Sequence, residues 1–181
     1  MFQVGDKIFY PMHGAGVIDA MEEKEFLGEK HLYYVLHMLQ RELNIMVPVE
    51  KMSALGIRMI VDADILDNVL AAMQERSPDS ALNAAQRFKL NTEKMKRGDI
   101  YEHAEVVRDL WVISKGKILG TSDKLMLDNA QQLISSEIAL VKGLDLERAT
   151  QVLKQVLATE PSKADEGVSE QTAAGYQKCV L

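Results

Sequence analysis

The sequence predicts an α+β protein: a small antiparallel β-barrel over residues 1–60, an all-helical domain over residues 61–158, and a disordered tail over residues 159–181. Three observations carry this. Up to Ile60 apolar side chains alternate at the period of two that marks strands, and from Asp62 they recur at the three- and four-residue spacing of helices. Beyond Pro161 the chain reads SKADEGVSEQTAAGYQK, too poor in large apolar residues to bury a core.

Within the first part, Lys7–Tyr10, Gly16–Phe26, His31–Leu39 and Leu43–Val47 read as strands, with Ile57–Val61 as a short fifth. Pro11 ends the first by withholding an N–H, and Gly14 and Gly16 supply the positive φ of a tight reversal. The third run places Leu32, Tyr34, Leu36 and Met38 on one face and Tyr33, Val35, His37 and Leu39 on the other, as in a strand curling through a small barrel. Gly28 marks the turn before it, Gln40–Arg41 the turn after it, and Pro48 ends the fourth run.

Five helices follow. Asp62 or Asp64 caps the first, which carries Ile65, Leu66, Val69, Leu70 and Met73 on one face. Ser77-Pro78 places a cap and a proline at the start of a second, running from Asp79 to about Arg97. Gly98-Asp99 separates it from a third through Val106, Val107, Leu110 and Trp111, and the spacing of these four reads Trp111 as core. Thr121 or Ser122 caps a long fourth helix that Gly143 closes, and the fifth runs from Asp145 to about Ala158. No internal repeat is present.

Composition narrows the function classes. The chain has 181 residues, 47% of them hydrophobic, and a net charge of −6. That charge argues against coating nucleic acid through bulk electrostatics, which needs clustered Lys and Arg. No apolar run approaches the ~20 residues that span a bilayer, and the start lacks a secretory pattern, so the expectation is a cytoplasmic protein without a membrane partner. The single cysteine, Cys179, fits a reducing compartment, and only two residues follow it, one too few for a prenylation motif.

No catalytic signature is present: the chain has no phosphate loop ending in Lys-Ser/Thr, no GxSxG elbow and no HExxH helix. Gly14-Ala15-Gly16 is only a hairpin GxG. His13, His31, His37 and His103 are scattered, and the two that share a strand stand about 20 Å apart, so they read as ordinary surface or strand histidines. The expectation is a non-enzyme with no catalytic residue, cofactor or metal.

Two features point to partners. Arg87, Lys89, Lys94, Lys96 and Arg97 concentrate positive charge on one helix, as a phosphate-contacting face or as a solvated helix C-terminus. Leu43-Asn44-Ile45-Met46-Val47-Pro48 is an apolar strand short of charge, either a sheet edge able to accept a partner strand or an internal barrel strand.

Five pieces in order give a resemblance: VGDKIFYPMHGAGVI (Val4–Ile18); MVPVEKM (Met46–Met52) with Gly56-Ile57-Arg58; RFKLNTEKMKRGD (Arg87–Asp99); AEVVRDLW (Ala104–Trp111); and SDKLMLDNAQQLISSEIAL (Ser122–Leu140). Over about residues 1–157 the chain resembles the bacterial CarD/CdnL RNA-polymerase-binding regulators and the RNA polymerase-interacting domain of transcription-repair coupling factors. The resemblance implies a Tudor-like (SH3-like) barrel that pairs with the protrusion lobe of the RNA polymerase β subunit, and a helical domain at the upstream edge of the promoter bubble, stabilising the open complex. By position, Lys24 and Leu43, Asn44, Ile45, Met46, Val47 and Pro48 match the polymerase-facing surface. Arg87 and Lys89 match the DNA-facing patch, which Lys94, Lys96 and Arg97 extend. Met46 stands where some relatives carry Arg, and Ala84 where many carry a tryptophan that wedges into the minor groove. A methyl group covers too little area to unstack a base step, so DNA contact is expected to rest on phosphates and to be weak and salt-dependent. The expected state is a monomer, with a strand-swapped dimer as the alternative, and the alternative function is a protein-only adaptor on polymerase or a repair translocase.

Overall fold

Strand β1 (Lys7–Tyr10) turns through Pro11–His13 into the long β2 (Gly14–Phe26), which pairs with β3 (Glu29–Met38) almost to its tip. β4 (Leu43–Pro48) pairs with β3, a short 3-10 turn spans Val49–Lys51, and β5 (Arg58–Met59) returns to pair with β1. These elements come from a computed structural model that describes residues 2–74 and 82–159. All pairings are antiparallel and the strand order is β4-β3-β2-β1-β5. The small Tudor-like β-barrel domain expected from the sequence is thus a five-stranded antiparallel sheet, with β4 and β5 as its end strands among the described residues.

Its inner face gathers Ile8, Ile18, Tyr34, Leu36, Met38, Val47, Met52 and Ile57. The alternation expected in β3 holds for Tyr34, Leu36 and Met38, which are buried, while Tyr33, Val35 and His37 stay half-exposed on the outer face. Gly16 corrects one expectation. Only Gly14 of the pair has a positive φ, +90°; Gly16 lies in β2, and a Cβ there would stand 2.5 Å from the His37 carbonyl oxygen. It is glycine because two strands approach closely.

Among the described residues five helices follow, as expected: α1 (Ala63–Ala72), α2 (Ala84–Arg97), α3 (Ile100–Gly116), α4 (Thr121–Lys142) and α5 (Leu146–Ala158). Asp62 caps α1 by accepting from Ile65 N, Asp99 caps α3 and Asp145 caps α5. Two starts differ from the sequence reading. Leu82 and Asn83 are not helical, and α2 begins at Ala84 with a reciprocal Asn83–Gln86 capping box. Ser77-Pro78 and Asp79 lie outside the described residues, as do Cys179 and the tail beyond Thr159. Helix α4 takes no cap from Thr121 or Ser122: both belong to its first turn, and its N-cap is Gly120, without a side-chain hydrogen bond. Among the described residues no helix is long and apolar enough to cross a membrane.

Helix α4 is the centre of the helical part, buried through Leu133–Ala139 against α3, α5 and β2. Trp111 packs at the edge of this core, and its Nε1–H donates to the Leu157 carbonyl (3.1 Å), tying α3 to α5.

Sheet and helices share one interior. Phe9 and Ala15, both fully buried, belong to the helical core and not to that of the sheet. Across the junction, Arg58 grips Glu137 with two hydrogen bonds, Nη1 to Oε1 (2.7 Å) and Nη2 to Oε2 (3.0 Å). Arg58 Nε also donates to the Gly98 carbonyl (2.9 Å), and its guanidinium lies 4.5 Å from the Phe9 ring centroid. Glu137, 1% exposed, takes a third hydrogen bond from Val61 N (3.1 Å). Beside it Ser136 Oγ accepts from Ala15 N (2.9 Å), and Lys7 Nζ donates to the Leu140 carbonyl (2.9 Å). Gly98, at φ +75°, would place a Cβ 2.7 Å from Pro11, so the turn after β1 rests directly on the α2–α3 corner.

His103 corrects the reading of the histidines as surface or strand residues. It is fully buried in this junction, Nε2–H donates to the Met95 carbonyl (3.1 Å), and the ring packs against Phe9 at 5.4 Å. Burial holds its pKa below 6.5; the Met95 carbonyl, Glu137 and Asp99 oppose that shift and Arg58 reinforces it.

Two expectations follow. Arg58→Ala leaves a buried carboxylate without its counter-charge and lowers unfolding stability by about 3–5 kcal/mol in urea titration. His103 is protonated more readily when unfolded, so stability falls as pH drops from 6.5 toward its lowered folded value. His103→Gln removes up to about 1.4 kcal/mol per pH unit of that slope, read from unfolding curves between pH 7.5 and 5.

Candidate functional site

Two surfaces carry the residues singled out in the sequence. The first is β4, which among the described residues has one neighbour, β3, and so leaves a row of backbone groups unpaired. Of the two readings of Leu43–Pro48, sheet edge or internal strand, the structure selects the edge. Register divides its side chains. Val35↔Met46, His37↔Asn44 and Tyr33↔Pro48 are directly opposed, so Asn44, Met46 and Pro48 lie on the outer face with Tyr33, Val35 and His37. Met46 is 41% exposed, and His37 Nδ1 meets Asn44 Oδ1 at 2.9 Å.

Lys24 pairs with His31 in the register that puts Glu22 opposite Tyr33, which places Lys24 on the same outer face, beyond the Pro48 end of β4. Its ammonium group sits 3.0 Å from Glu22 on an exposed surface. The structure thus brings Lys24, Asn44, Met46 and Pro48 onto one face. It turns Ile45 and Val47 inward, with Val47 only 2% exposed, and Leu43 follows their parity at the exposed start of the strand.

The second surface is α2, where the sequence suggests a row of five cations. Three are engaged within the protein. Arg87 is 7% exposed, with Nη2 on Asp123 of α4. Lys94 Nζ meets Glu105 of α3 at 2.7 Å, and Arg97 forms a two-pronged pair with Glu102 that raises its own pKa. Lys89 and Lys96 are exposed and have no ion pair among the described residues. Seven residues apart, they form one stripe about 10.5 Å long. The five cations thus differ in setting: Arg87 is buried on Asp123, Lys94 and the exposed Arg97 are paired with carboxylates of α3, and Lys89 and Lys96 form an exposed stripe without an ion pair among the described residues.

Ala84 opens α2 at the rim of a pocket of about 530 Å³ between the start of α2 and the α3–α4 loop, lined also by Arg87, Phe88, Lys117, Ile118 and Thr121. Ile118 is 99% exposed. Sequence reading passed over this loop; its one signal was an Ile-Leu pair inside Lys117–Gly120, where a solvated loop has no need of apolar residues.

Residues 2–61 match the family described as CarD-like/TRCF RID domain, and residues 68–154 match CarD, C-terminal domain. The chain belongs to the CarD-like family. The Bacillus subtilis (strain 168) protein named "Putative transcription factor YdeB" is 47% identical over 144 residues, which are 80% of this chain and 94% of the relative. The solution NMR structure of the 72-residue N-terminal domain of Myxococcus xanthus CarD is 30% identical, covering 33% of this chain and 79% of that one at a TM-score of 0.29.

In this CarD-like chain the boundary between the two matched regions falls at the start of α1. Arg58 of the first region nevertheless holds Glu137 of the second. Arg87→Ala is expected to lower stability by about 3 kcal/mol, because it leaves Asp123 buried and unpaired. Lys89→Ala is expected to stay within about 0.5 kcal/mol of the parent. Chemical denaturation of both variants reads the difference between a structural and a surface cation.

Proposed function

We propose that this protein is a non-enzymatic transcription regulator that docks by strand pairing on the RNA polymerase β subunit and contacts upstream promoter DNA through the face around α2. The observation that carries the reading is the free β4 edge with Asn44, Met46, Pro48 and Lys24 on one outer face. Backbone groups on such an edge give affinity to an added strand, and alternate side chains give it specificity. Membership of the CarD-like family and the name of the B. subtilis relative support the regulatory role.

The DNA half rests on Lys89 and Lys96, with Ala84 and Ile118 on the neighbouring pocket rim. An exposed isoleucine is among the apolar side chains that can press on a base step, which the methyl group of Ala84 is too small to do. With two cations of α2 free of ion pairs among the described residues, binding to DNA alone is weak and is lost steeply as salt rises. Docking on polymerase supplies the missing affinity by raising the effective concentration of the helical face at the promoter.

A second reading, a protein-only adaptor, draws on the pairing of three of the five α2 cations with carboxylates. Salt dependence separates the two, since an adaptor gives no steep slope with DNA.

In a pull-down with the isolated β-subunit lobe, Met46→Glu in the full chain is expected to weaken binding at least about tenfold while the melting temperature holds. Unchanged binding would remove the docking half. Lys89→Glu with Lys96→Glu is expected to leave lobe binding intact and to cancel the effect on open-complex lifetime; an unaltered lifetime effect would remove the DNA half.

A further inference from the structure

Two pockets run into one another along the cleft between α2 and the first half of α4. The one of about 530 Å³ extends from Ile118 to Phe88, and a second, of about 260 Å³, continues from Phe88 past Met95 and Leu125 to Met12. From Ala84 to Met95 the cleft follows about 16 Å of α2. Its apolar side chains are open to water: Ile118 is 99% exposed, Leu125 60%, Met12 51% and Phe88 40%. Apolar groups gathered on one strip of surface mark a place that another segment covers. Met12 is set at its end by a turn that His13 N–H closes on the Tyr10 carbonyl (3.0 Å), at φ +67°, where glycine or asparagine is the usual residue.

Positive charge borders the strip. Lys89 and Lys96 each follow a cleft residue, Phe88 and Met95, by one position, so their stripe runs along the edge of the cleft, and Lys117 lines its other end. All three are exposed and have no ion pair among the described residues. Asp123, the carboxylate that lines the cleft among those residues, is already held by Arg87. The cleft therefore suits an acidic segment with an apolar residue inside it.

The chain carries such a segment beside it. Residues 160–181 lie outside the described residues and beyond the family match, which ends at residue 154. They set Asp165, Glu166 and Glu170 around Val168. The point at which they leave the fold is fixed by the Trp111 hydrogen bond to the Leu157 carbonyl. Trp111 stands about 7.5 Å of helix before Gly116, where the loop that holds Ile118 begins. Extended chain from Thr159 to Val168 reaches about 30 Å, roughly twice the length of the cleft.

We infer that the segment around Val168 docks in the α2–α4 cleft, with its apolar side chain on Phe88 and Leu125 and its carboxylates toward Lys89 and Lys96. Tethering holds its effective concentration near the millimolar range, so a weak contact is enough, and any other acidic partner has to displace it. A docked tail masks both lysines and Ile118. That consequence, unlike the docking, rests on the proposed DNA contact: the tail is then a built-in competitor of promoter DNA.

Cys179, the single cysteine, accepts a nitroxide label without any substitution. In the full chain the label is expected to broaden the amide signals of Phe88, Ser122 and Leu125, which return when the nitroxide is reduced. Leu125→Glu places a carboxylate on an exposed side chain, so the melting temperature is expected to hold while the broadening is lost. Asp165→Asn, Glu166→Gln and Glu170→Gln together are expected to lose it as well, and to tighten binding of a duplex oligonucleotide about fivefold. Broadening that is absent from the parent, or that persists in both variants, would overturn the docking. Broadening carried only from spin-labelled chains to isotope-labelled chains without nitroxide would assign the cleft to the tail of a second copy and overturn docking within one chain. Broadening that both variants abolish, with duplex affinity unchanged by the neutralised tail, would keep the docking and count against the DNA contact at Lys89 and Lys96.

Discussion

The ion pair between Arg58 and Glu137 is the constraint on which the rest of the molecule depends. Glu137 sits in the most buried stretch of α4, where a carboxylate is tolerated only if a counter-charge and hydrogen-bond donors surround it. Arg58 supplies two of those donors from β5, and the Val61 backbone supplies a third. The same guanidinium reaches the Gly98 carbonyl at the α2–α3 corner and covers the Phe9 ring. One arginine thus joins an edge strand, the strand beside it, the central helix and the corner that leads from α2 to α3. A buried pair of this kind adds little net stability over an apolar substitute, but it fixes a single arrangement.

That arrangement links the two candidate surfaces. β4 lies at one edge of the sheet and the Arg58 junction at the other, across three strands whose registers are defined by pairing. On the helical side, Gly98 follows α2 directly, so the orientation of the Lys89–Lys96 stripe is set within three turns of the junction. If β4 docks as proposed, holding it and the helical face in one frame lets anchoring at the first surface place the second. A flexible linker would instead spend part of the docking energy on ordering the two parts. His103, buried in the same junction and unfavourable when charged, makes the frame sensitive to acid.

The strands and four of the five helix starts to within a residue or two were legible because periodicity and caps are local signals, whereas the edge position of β4 depends on which strands pair and came only from the structure. The start of α2 was misread because Ser77-Pro78 is a stronger local signal than Asn83-Ala84-Ala85-Gln86, although the latter holds the capping box. The pairing of the cation row was not legible for a different reason. Helical spacing shows which charges share a face, but Asp123, Glu102 and Glu105, which take three of the five, come from later helices. Glu137 left no trace of its role: it follows Ser135 and Ser136 in a run that reads as polar, and only the packing of α4 shows that Leu133–Ala139 is buried throughout and that the carboxylate needs a distant partner. Arg58 stood in a quoted motif without a role.

The most direct measurement is the alignment of the sheet and the helices in solution. Residual dipolar couplings from amides of residues 7–59 and of residues 63–158, fitted separately, are expected to give the same alignment tensor in magnitude and orientation, and Arg58→Ala to separate them. Two different tensors in the unaltered protein would contradict a single frame, and with it the claim that docking at β4 positions the helical face.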